Sequence, residues 1–329
     1  VDINENALAE LTRDLRSTKG LYVPEDYIPY PMDFASPVFQ KMFRSRKGFD
    51  IVGNFSAHKH VRSEKDIYSI EALLQNNVLH AKGLLDLLEE FPPETYFCVS
   101  TDKAANPVNI MGASKRIMED LIFAYSDRFP VKTARFANVA FSNGSLPAGF
   151  LARMQKLQPL SAPSDVKRYF VSPQESGQIC MLACMLGENR EIFFPKLAQE
   201  QMMTFDQIAT NLLTQQGYTV LPCESDEEAV EKAEALKQGS RAYPVHYAPS
   251  NTSGEKAYEE FYVEGESVDE NRLQALGVVT DKPIPERAKL MHLFDQLTAA
   301  FEKAETTKEE VVSILKDYLP NFDHIETGK

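Results

Sequence analysis

Residues 99–103 bring together the groups that acid–base chemistry needs. Asp102 and Lys103 are neighbours, and the hydroxyls of Ser100 and Thr101 come directly before them. Each charged group favours the ionised form of the other, whereas partial burial would favour the neutral form of both. A carboxyl group and an amine side by side can give and take protons in one reaction. The sequence therefore predicts an acid–base pair, and a merely solvated Asp–Lys pair at a strand end remains the alternative.

A second candidate pair lies one turn apart on a predicted helix. Lys115 follows Met111 by four residues, so the two side chains share one face of that helix. The Met111 side chain has no ionisable proton and cannot serve as a base. Lys115 is therefore the candidate for chemistry on this face, and Met111 either belongs to the site or fills space beside it.

Strands and helices alternate around these residues. Apolar runs predict strands at 49–55, 96–100 and 131–137, the first of them buried, and apolar residues at helical spacing predict helices over 66–90 and 110–129. This alternation is typical of a parallel sheet built from right-handed βαβ units. Ligands of such sheets bind beyond the carboxyl ends of the strands, where the acid–base pair would lie.

Composition and charge exclude several classes of protein. The chain has 329 residues, 43% of them hydrophobic, and a formal net charge of −13. That length suffices for a large domain and a smaller one. The negative charge argues against nucleic acid and anionic membranes as main partners. No apolar run approaches the roughly 20 residues of a membrane span. The chain starts with polar residues and its cysteines lack CxxC spacing, so we expect a cytoplasmic protein.

A metal site is not predicted. His58 and His60 form an HxH pair, but no third ligand lies near them in the sequence. Protein zinc sites take at least three side-chain ligands. The two histidines alone therefore give no reason to expect a metal.

The order and spacing of several motifs resemble the extended short-chain dehydrogenase/reductases, and within them the nucleotide-sugar 4,6-dehydratases of bacterial polysaccharide biosynthesis. The resemblance covers about residues 2–262. It rests on Thr101-Asp102-Lys103 with Lys115, Asn54-Phe55-Ser56-Ala57-His58-Lys59-His60-Val61, Asn76-Asn77-Val78, Ala134-Arg135-Phe136-Ala137-Asn138-Val139, Ser142-Asn143-Gly144-Ser145, Arg168-Tyr169-Phe170 with Glu175, and Gly254-Glu255-Lys256 with Glu259-Glu260.

Three departures from the family pattern stand out. Met111 occupies the position where the wider superfamily has a tyrosine. Asn251-Thr252-Ser253 stands where the family often has an arginine ahead of its Gly-Glu-Lys motif. The stretch 197–243 is longer and more acidic than in common members, so the bound sugar could differ from theirs.

The resemblance implies a Rossmann-like, doubly wound parallel α/β sheet with a smaller C-terminal substrate domain. It assigns residues 1–140, with 165–197 returning to them, to an NAD-binding domain. It assigns 141–164 and 198–283 to a substrate-binding domain, and 284–329 to C-terminal helices. By analogy with the superfamily we expect a homo-oligomer in which the helices 66–90 and 110–129 pack against their copies.

One expected motif has no counterpart. Dinucleotide-binding folds place a glycine-rich loop after their first strand to hold the pyrophosphate, and residues 1–60 contain no such loop. The opening residues 1–6 resemble the end of the second strand, where an acidic residue binds the adenosine ribose. We therefore expect the first strand, the glycine-rich loop and the first helix to be absent from this chain.

The resemblance also implies a role for each catalytic position. Asp102 would be the acid toward the C6 oxygen of a hexose, Lys103 the base at C5, and Thr101 a hydrogen-bond partner near O4. Lys115 would bind the nicotinamide ribose. Met111 matches a subset of the family that carries methionine at the tyrosine position and uses the Thr-Asp-Lys set instead.

Cofactor and substrate residues follow from the same resemblance. The open alternatives are a helix-cap role for Asp2, a loop position for Asp33, a strand-end turn for Asn138 and a surface ion pair for Arg168. The implied NAD-binding residues are Asp2, Asp33, Ser56, Ala57, Lys59, Asn77, Ser100 and Lys115. The implied substrate-binding residues are Asn138, Ser145, Arg168 and Lys256.

The sequence thus favours an NAD-dependent 4,6-dehydratase of a nucleotide sugar, with UDP-N-acetylglucosamine as the expected substrate. A nucleotide-sugar epimerase with the same fold and cofactor is one alternative, although a simple 4-epimerase needs no acid–base pair at C5 and C6. A non-catalytic protein that binds nucleotide sugars is the other, and Met111 is the residue that favours it.

Overall fold

The computed structural model describes residues 1–198, 202–250 and 259–325, except for the side chains of Arg62 and Ser63. Its strands are β1 Ile51–Asn54, β2 Thr95–Thr101, β3 Val131–Phe136, β4 Asn138–Val139, β5 Leu160–Pro163, β6 Lys167–Arg168, β7 Phe170–Val171, β8 Glu191–Pro195, β9 Met203–Thr204, β10 Thr219–Cys223, β11 Ala242–Ala248, β12 Ser267–Asp269 and β13 Leu276–Thr280.

The α-helices are α1 Glu5–Ser17, α2 Pro37–Arg46, α3 Ile67–Leu74, α4 His80–Glu90, α5 Ile110–Ala124, α6 Leu146–Gln155, α7 Pro173–Leu186, α8 Phe205–Gln215, α9 Asp226–Ala233, α10 Arg287–Phe301 and α11 Lys308–Tyr318. A π-helical turn, Gln75–Leu79, joins α3 to α4, and a 3-10 turn, Asp102–Ala104, follows β2. No described helix combines the length and the apolar character that crossing a bilayer requires.

A six-stranded sheet in the order β1-β2-β3-β8-β13-β12 forms the centre of the molecule. The first four strands are parallel, and β13 and β12 are antiparallel additions at one edge. The helices α3, α4 and α5 connect the parallel strands on one face, and α7 packs on β3 and β8 from the other. This confirms the predicted doubly wound α/β fold. Because helices cover both faces, every residue of β3 is buried.

The strand β1 differs from the prediction of a buried strand. It lies at the edge of the sheet, and among the described residues only β2 pairs with it. Ile51 is 50% exposed, and Phe55 just beyond the strand is 62% exposed. The apolar run predicted the strand correctly, but burial depends on neighbours that the run does not specify.

The single helix predicted over 66–90 is also corrected. A π-helical turn interrupts it and carries Asn77, which is buried. A π-turn adds one residue to a helical turn and is frequent at functional sites. Apolar spacing continues across the interruption, so periodicity could not reveal it.

The helix α5 is buried on nearly all sides because the C-terminal helices α10 and α11 cover the face that points away from the sheet. Little of α5 therefore remains exposed for the expected packing against a second copy. The homo-oligomer stays a prediction.

Truncating one core residue of α10 tests this packing. Leu297 is fully buried in the same cluster as α5, so Leu297→Ala is expected to lower the free energy of unfolding by about 2–5 kcal/mol. Leu11, on α1, is 47% exposed, and Leu11→Ala is the matched control with an expected change within about 0.5 kcal/mol. Urea unfolding measures both, and equal effects would contradict the packing described.

A second, smaller unit follows α6. Its three-stranded parallel sheet has the order β10-β11-β5, and a separate hydrophobic cluster includes Phe150, Leu213 and Tyr243. This unit lies within the residues predicted for the substrate-binding domain. The predicted boundary at 283 also placed β12 and β13 there, but their backbone pairing attaches them to the central sheet through β8.

Candidate active site

The candidate site lies where the strands β1, β2 and β3 end on the same edge of the sheet. Asn54 ends β1, Thr101 ends β2 and Phe136 ends β3, and the register pairs Thr101 with Phe136. The loops that follow these strands therefore converge, as the parallel topology predicts. The loop after β1 also reaches Gly144: a Cβ at this position, whose φ is +75°, would lie 2.8 Å from His60 Nε2.

The predicted acid–base pair is held in a 3-10 turn directly after β2. Asp102 is only 5% exposed, and Lys103 Nζ lies 3.3 Å from its Oδ1 and 3.5 Å from its Oδ2. The Thr101 hydroxyl donates to Asp102 Oδ1 over 2.7 Å. The structure brings the three predicted side chains together, and the burial of Asp102 does not fit a merely solvated pair.

The turn packs tightly against the start of α5. A Cβ added to Gly112 would lie 2.7 Å from the Lys103 carbonyl oxygen, which no ordinary contact allows. The Asn109 side chain caps the helix by accepting from Gly112 N over 2.7 Å. A glycine at this position therefore lets the acid–base turn approach the helix that carries Lys115.

Lys115 is buried beneath the end of β2. Its Nζ donates to the Val99 carbonyl over 3.0 Å. Burial lowers the pKa of the Lys115 ammonium, while the nearby Cys98 and Glu119 oppose that effect. Met111 is 4% exposed on the same helix. Both side chains are therefore buried close to the acid–base turn, and their contact with a ligand stays a prediction.

Glu64 is a site-supporting residue that the sequence analysis missed. Its carboxylate oxygens accept hydrogen bonds from Ile110 N over 2.9 Å and from Met111 N over 2.8 Å, at the start of α5. A carboxylate favours this end of a helix because the first amides there have no partner within the helix. No sequence signal could have found it, because Glu64 lies 46 residues from Ile110.

Asn77 fixes the loop after β1. Its Oδ1 accepts from His58 N and its Nδ2 donates to His58 O, both over 2.9 Å. It also donates to Ser114 Oγ over 3.1 Å, which ties the loop to α5. Asn77, predicted to bind NAD, thus holds a backbone segment of that loop with its amide, and its contact with a cofactor stays a prediction. On that loop Ser56, Ala57 and Lys59 are exposed.

The two acidic residues predicted to bind adenosine are exposed and lie in local turns. Asp2 Oδ1 accepts from Asn4 N over 2.7 Å, and Asp33 Oδ1 accepts from Ala35 N over 2.8 Å. A parallel bridge from Asp2 to Pro31 brings their two segments together. These contacts agree with the local alternatives, and binding of a ligand by either carboxylate stays a prediction.

The predicted substrate residues Asn138 and Arg168 meet at an additional carboxylate, Glu259. Asn138 Nδ2 donates to Glu259 Oε1 over 2.9 Å, and Arg168 Nε lies 3.9 Å from the same oxygen. Ser145 caps α6 by accepting from Ala148 N. Lys256 lies outside the described residues. Sequence reasoning noted Glu259 only as part of a motif and gave it no role.

Behind the acid–base pair lies a buried cluster of charges. Glu119 accepts from Arg135 over 2.9 and 2.7 Å and from Lys282 Nζ over 3.1 Å, and Arg135 also bonds Glu266. Burial would raise the pKa of Glu119, but Arg135 and Lys282 outweigh it and hold that pKa well below its ordinary value. The Ser100 hydroxyl donates to Glu119 over 2.6 Å. Ser100, predicted to contact the cofactor, therefore anchors the end of β2 to this cluster.

Comparisons with known proteins agree with this architecture. The profile of a family described as "Polysaccharide biosynthesis protein" matches residues 36–281. Among curated relatives, the probable polysaccharide biosynthesis protein EpsC of Bacillus subtilis is 27% identical over 70% of this chain and 37% of its own length. CapD, a capsular polysaccharide biosynthesis protein of Staphylococcus aureus, is 24% identical over 78% of this chain and 42% of its own length.

Coverage differs among relatives and structures. The chain spans less than half of EpsC and CapD, but 86% of an uncharacterized membrane protein of Methanocaldococcus jannaschii that is 28% identical over 96% of this chain. Pen from Bacillus thuringiensis aligns with 97% of this chain and 88% of its own, with a TM-score of 0.65 and 17% identity. The dTDP-glucose 4,6-dehydratase DesIV from Streptomyces venezuelae aligns with 78% of this chain and 74% of its own, with a TM-score of 0.56 and 16% identity. At these identities the likeness shows a shared fold.

Proposed function

Since this chain belongs to the polysaccharide biosynthesis protein family, we propose that it catalyses NAD-dependent 4,6-dehydration of a nucleotide sugar, with UDP-N-acetylglucosamine as substrate. The observation that carries the proposal is the buried Asp102, paired with Lys103 at the carboxyl edge of the sheet. Dehydration needs one group that gives a proton and one that takes a proton on adjacent carbon atoms. The adjacent side chains Asp102 and Lys103 supply both.

The residues around Lys115 fit the nicotinamide end of NAD. An ammonium group has three donors; Val99 O takes one over 3.0 Å and the Met118 sulfur is a weak acceptor at 3.8 Å. Capacity therefore remains for a ribose hydroxyl. The exposed residues Ser56, Ala57 and Lys59, on the loop after β1, are the candidates for the pyrophosphate. The chemistry that bound NAD supplies is reversible acceptance of hydride.

The acid–base pair then performs the elimination. Once C4 of the hexose is a ketone, its C5 proton is acidic. The neutral Lys103 amine takes that proton while the Asp102 carboxylic acid protonates the C6 hydroxyl, the C6–O bond breaks, and water leaves as a C5=C6 double bond forms. Lys103 ends as an ammonium and Asp102 as a carboxylate. When C6 takes back hydride, the Lys103 ammonium would give C5 a proton that has exchanged with solvent, and Asp102 would regain its proton from water.

An isotope experiment tests the proposed reaction. The protein is incubated with NAD and UDP-N-acetylglucosamine in deuterated water, and the products are examined by NMR and mass spectrometry. The expected product is a UDP-4-keto-6-deoxy sugar with deuterium at C5, because the proton that Lys103 exchanges comes from solvent. A C4 epimer that keeps its C6 oxygen would instead identify an epimerase.

A second candidate function is binding of a nucleotide sugar without turnover. It is favoured by Met111, which is 4% exposed and carries no exchangeable proton at the position where the wider superfamily has tyrosine. In the same experiment this function predicts unchanged starting sugar, together with saturable binding of UDP-N-acetylglucosamine.

A further inference from the structure

Among the residues that the structure describes, one oxygen of the Glu259 carboxylate has hydrogen-bond donors and the other has none. Oε1 accepts from Asn138 Nδ2 over 2.9 Å and from Tyr169 N over 3.2 Å, and Arg168 Nε lies 3.9 Å away. Oε2 is buried and has no hydrogen-bond partner within the described part of the chain. The Glu259 side chain is only 2% exposed. The donors on Oε1 therefore hold the carboxylate in one orientation.

A buried oxygen without a donor is unfavourable, because it has lost its hydrogen bonds to water and gained none in return. Such groups are rare in folded proteins, and each one calls for an explanation. Asn138 Nδ2, Tyr169 N and Arg168 Nε all lie around Oε1. Within the described residues the fold thus supplies donors to one oxygen of this carboxylate and none to the other. A ligand that brings a hydrogen-bond donor would satisfy it.

Two contacts place Glu259 beside the acid–base turn. Asn138, which donates to Oε1, lies two residues after Phe136, and the sheet register pairs Phe136 with Thr101 beside Asp102. The next residue, Glu260, accepts from Asn106 Nδ2 over 3.1 Å, and Asn106 follows the turn that carries Lys103. The free oxygen thus lies near the place where the reacting hexose must sit.

We propose that Glu259 Oε2 accepts a hydrogen bond from a hydroxyl or an amide N–H of the hexose, which makes Glu259 a residue that determines sugar specificity. The inference rests on the proposed function and names its sugar-facing acceptor. A carboxylate repels the diphosphate of a nucleotide sugar, whereas hydroxyl and acetamido groups are donors that suit it. Sites built around such a hydrogen bond discriminate strongly against sugars that lack the donor.

The variant Glu259→Gln tests this contact with little change in shape. Its amide oxygen can still accept from Asn138 and Tyr169 N, which places an NH2 group where Oε2 was. This NH2 group would then face the hydroxyl or amide N–H of the sugar, and two donors cannot bond each other. We expect affinity for UDP-N-acetylglucosamine to fall at least about 10-fold while affinity for UDP stays at the wild-type value, both measured by calorimetry. Glu260→Gln is the matched control and should keep both affinities, since an amide oxygen still accepts from Asn106.

Unchanged sugar-nucleotide affinity in Glu259→Gln, or an equal loss of UDP affinity, would overturn the inference. If the variant fails to fold, a series of UDP-sugars that each lack one hydroxyl or the acetamido group is titrated into wild-type protein. One deletion should then weaken binding at least about 10-fold, and uniform affinities would overturn the inference. Wild-type protein that binds UDP-N-acetylglucosamine without converting it would contradict the proposed function and leave this inference intact.

Discussion

Replacing Asp102 by asparagine is expected to lower turnover of UDP-N-acetylglucosamine by about 10²-fold or more. The amide has nearly the size of the carboxyl group and can still accept from Thr101, which lies 2.7 Å from Oδ1. It cannot give a proton to the leaving C6 hydroxyl. Lys103→Met is expected to cause a similar loss, because methionine has no amine that could take the C5 proton. Product formation in single-turnover experiments measures both losses.

Both variants should keep their affinity for NAD and UDP, since the substitutions remove proton transfer rather than a binding surface. The controls are Asp127→Asn and Lys237→Met, at side chains that are 59% exposed and form only surface ion pairs. Those two variants should turn over at the wild-type rate. Normal turnover in Asp102→Asn or in Lys103→Met would reject the roles that we propose for these residues.

The largest expected loss of stability comes from Glu119→Gln. Glu119 and Arg135 are fully buried, and Lys282 is 3% exposed. Removing the carboxylate leaves two cations without their counter-charge in a site that excludes water, which typically costs about 3–5 kcal/mol of unfolding free energy. Urea unfolding at pH 7 measures the loss. Glu90→Gln removes an exposed pair with Arg44, and its effect should be much smaller.

The stability difference between wild type and Glu119→Gln should depend on pH. The pKa of Glu119 is held well below its ordinary value in the folded chain, whereas in the unfolded chain it lies near about 4.3. The contribution of Glu119 is therefore complete above that pH and is lost as the pH falls toward the folded-state pKa. The difference between the proteins should shrink in acid. A constant difference between pH 7 and pH 3 would contradict the ionised state of Glu119 in the fold.

The motifs that predicted the site are local in sequence. Thr101, Asp102 and Lys103 are contiguous and follow an apolar strand, so their placement at the carboxyl edge required only the βαβ pattern. The family resemblance drawn from these and similar motifs is confirmed by the match over residues 36–281. Helix starts are local in the same way: Ser225 accepts from Glu228 N and Thr307 accepts from Glu310 N, so each cap binds an amide three positions later.

The predictions failed where burial or partners depended on distant segments. The strand β1 is exposed because it has one described neighbour in the sheet, and α5 is covered by helices that follow it by more than 150 residues. The π-helical turn carries Asn77, whose side chain bonds the backbone of His58, 19 residues earlier in the chain. Apolar periodicity records which faces are buried, but not which element buries them.

The amino-acid order was therefore sufficient for the α/β class, the family and the Asp102–Lys103 pair, because each depends on neighbours along the chain. The cluster of Glu119, Arg135 and Lys282, like the free oxygen of Glu259, could be found only in the folded molecule. In sequence these are scattered charged residues of the kind that normally face solvent. Folding brings them together across more than 100 positions and removes water, and that removal makes their pairing energetically important.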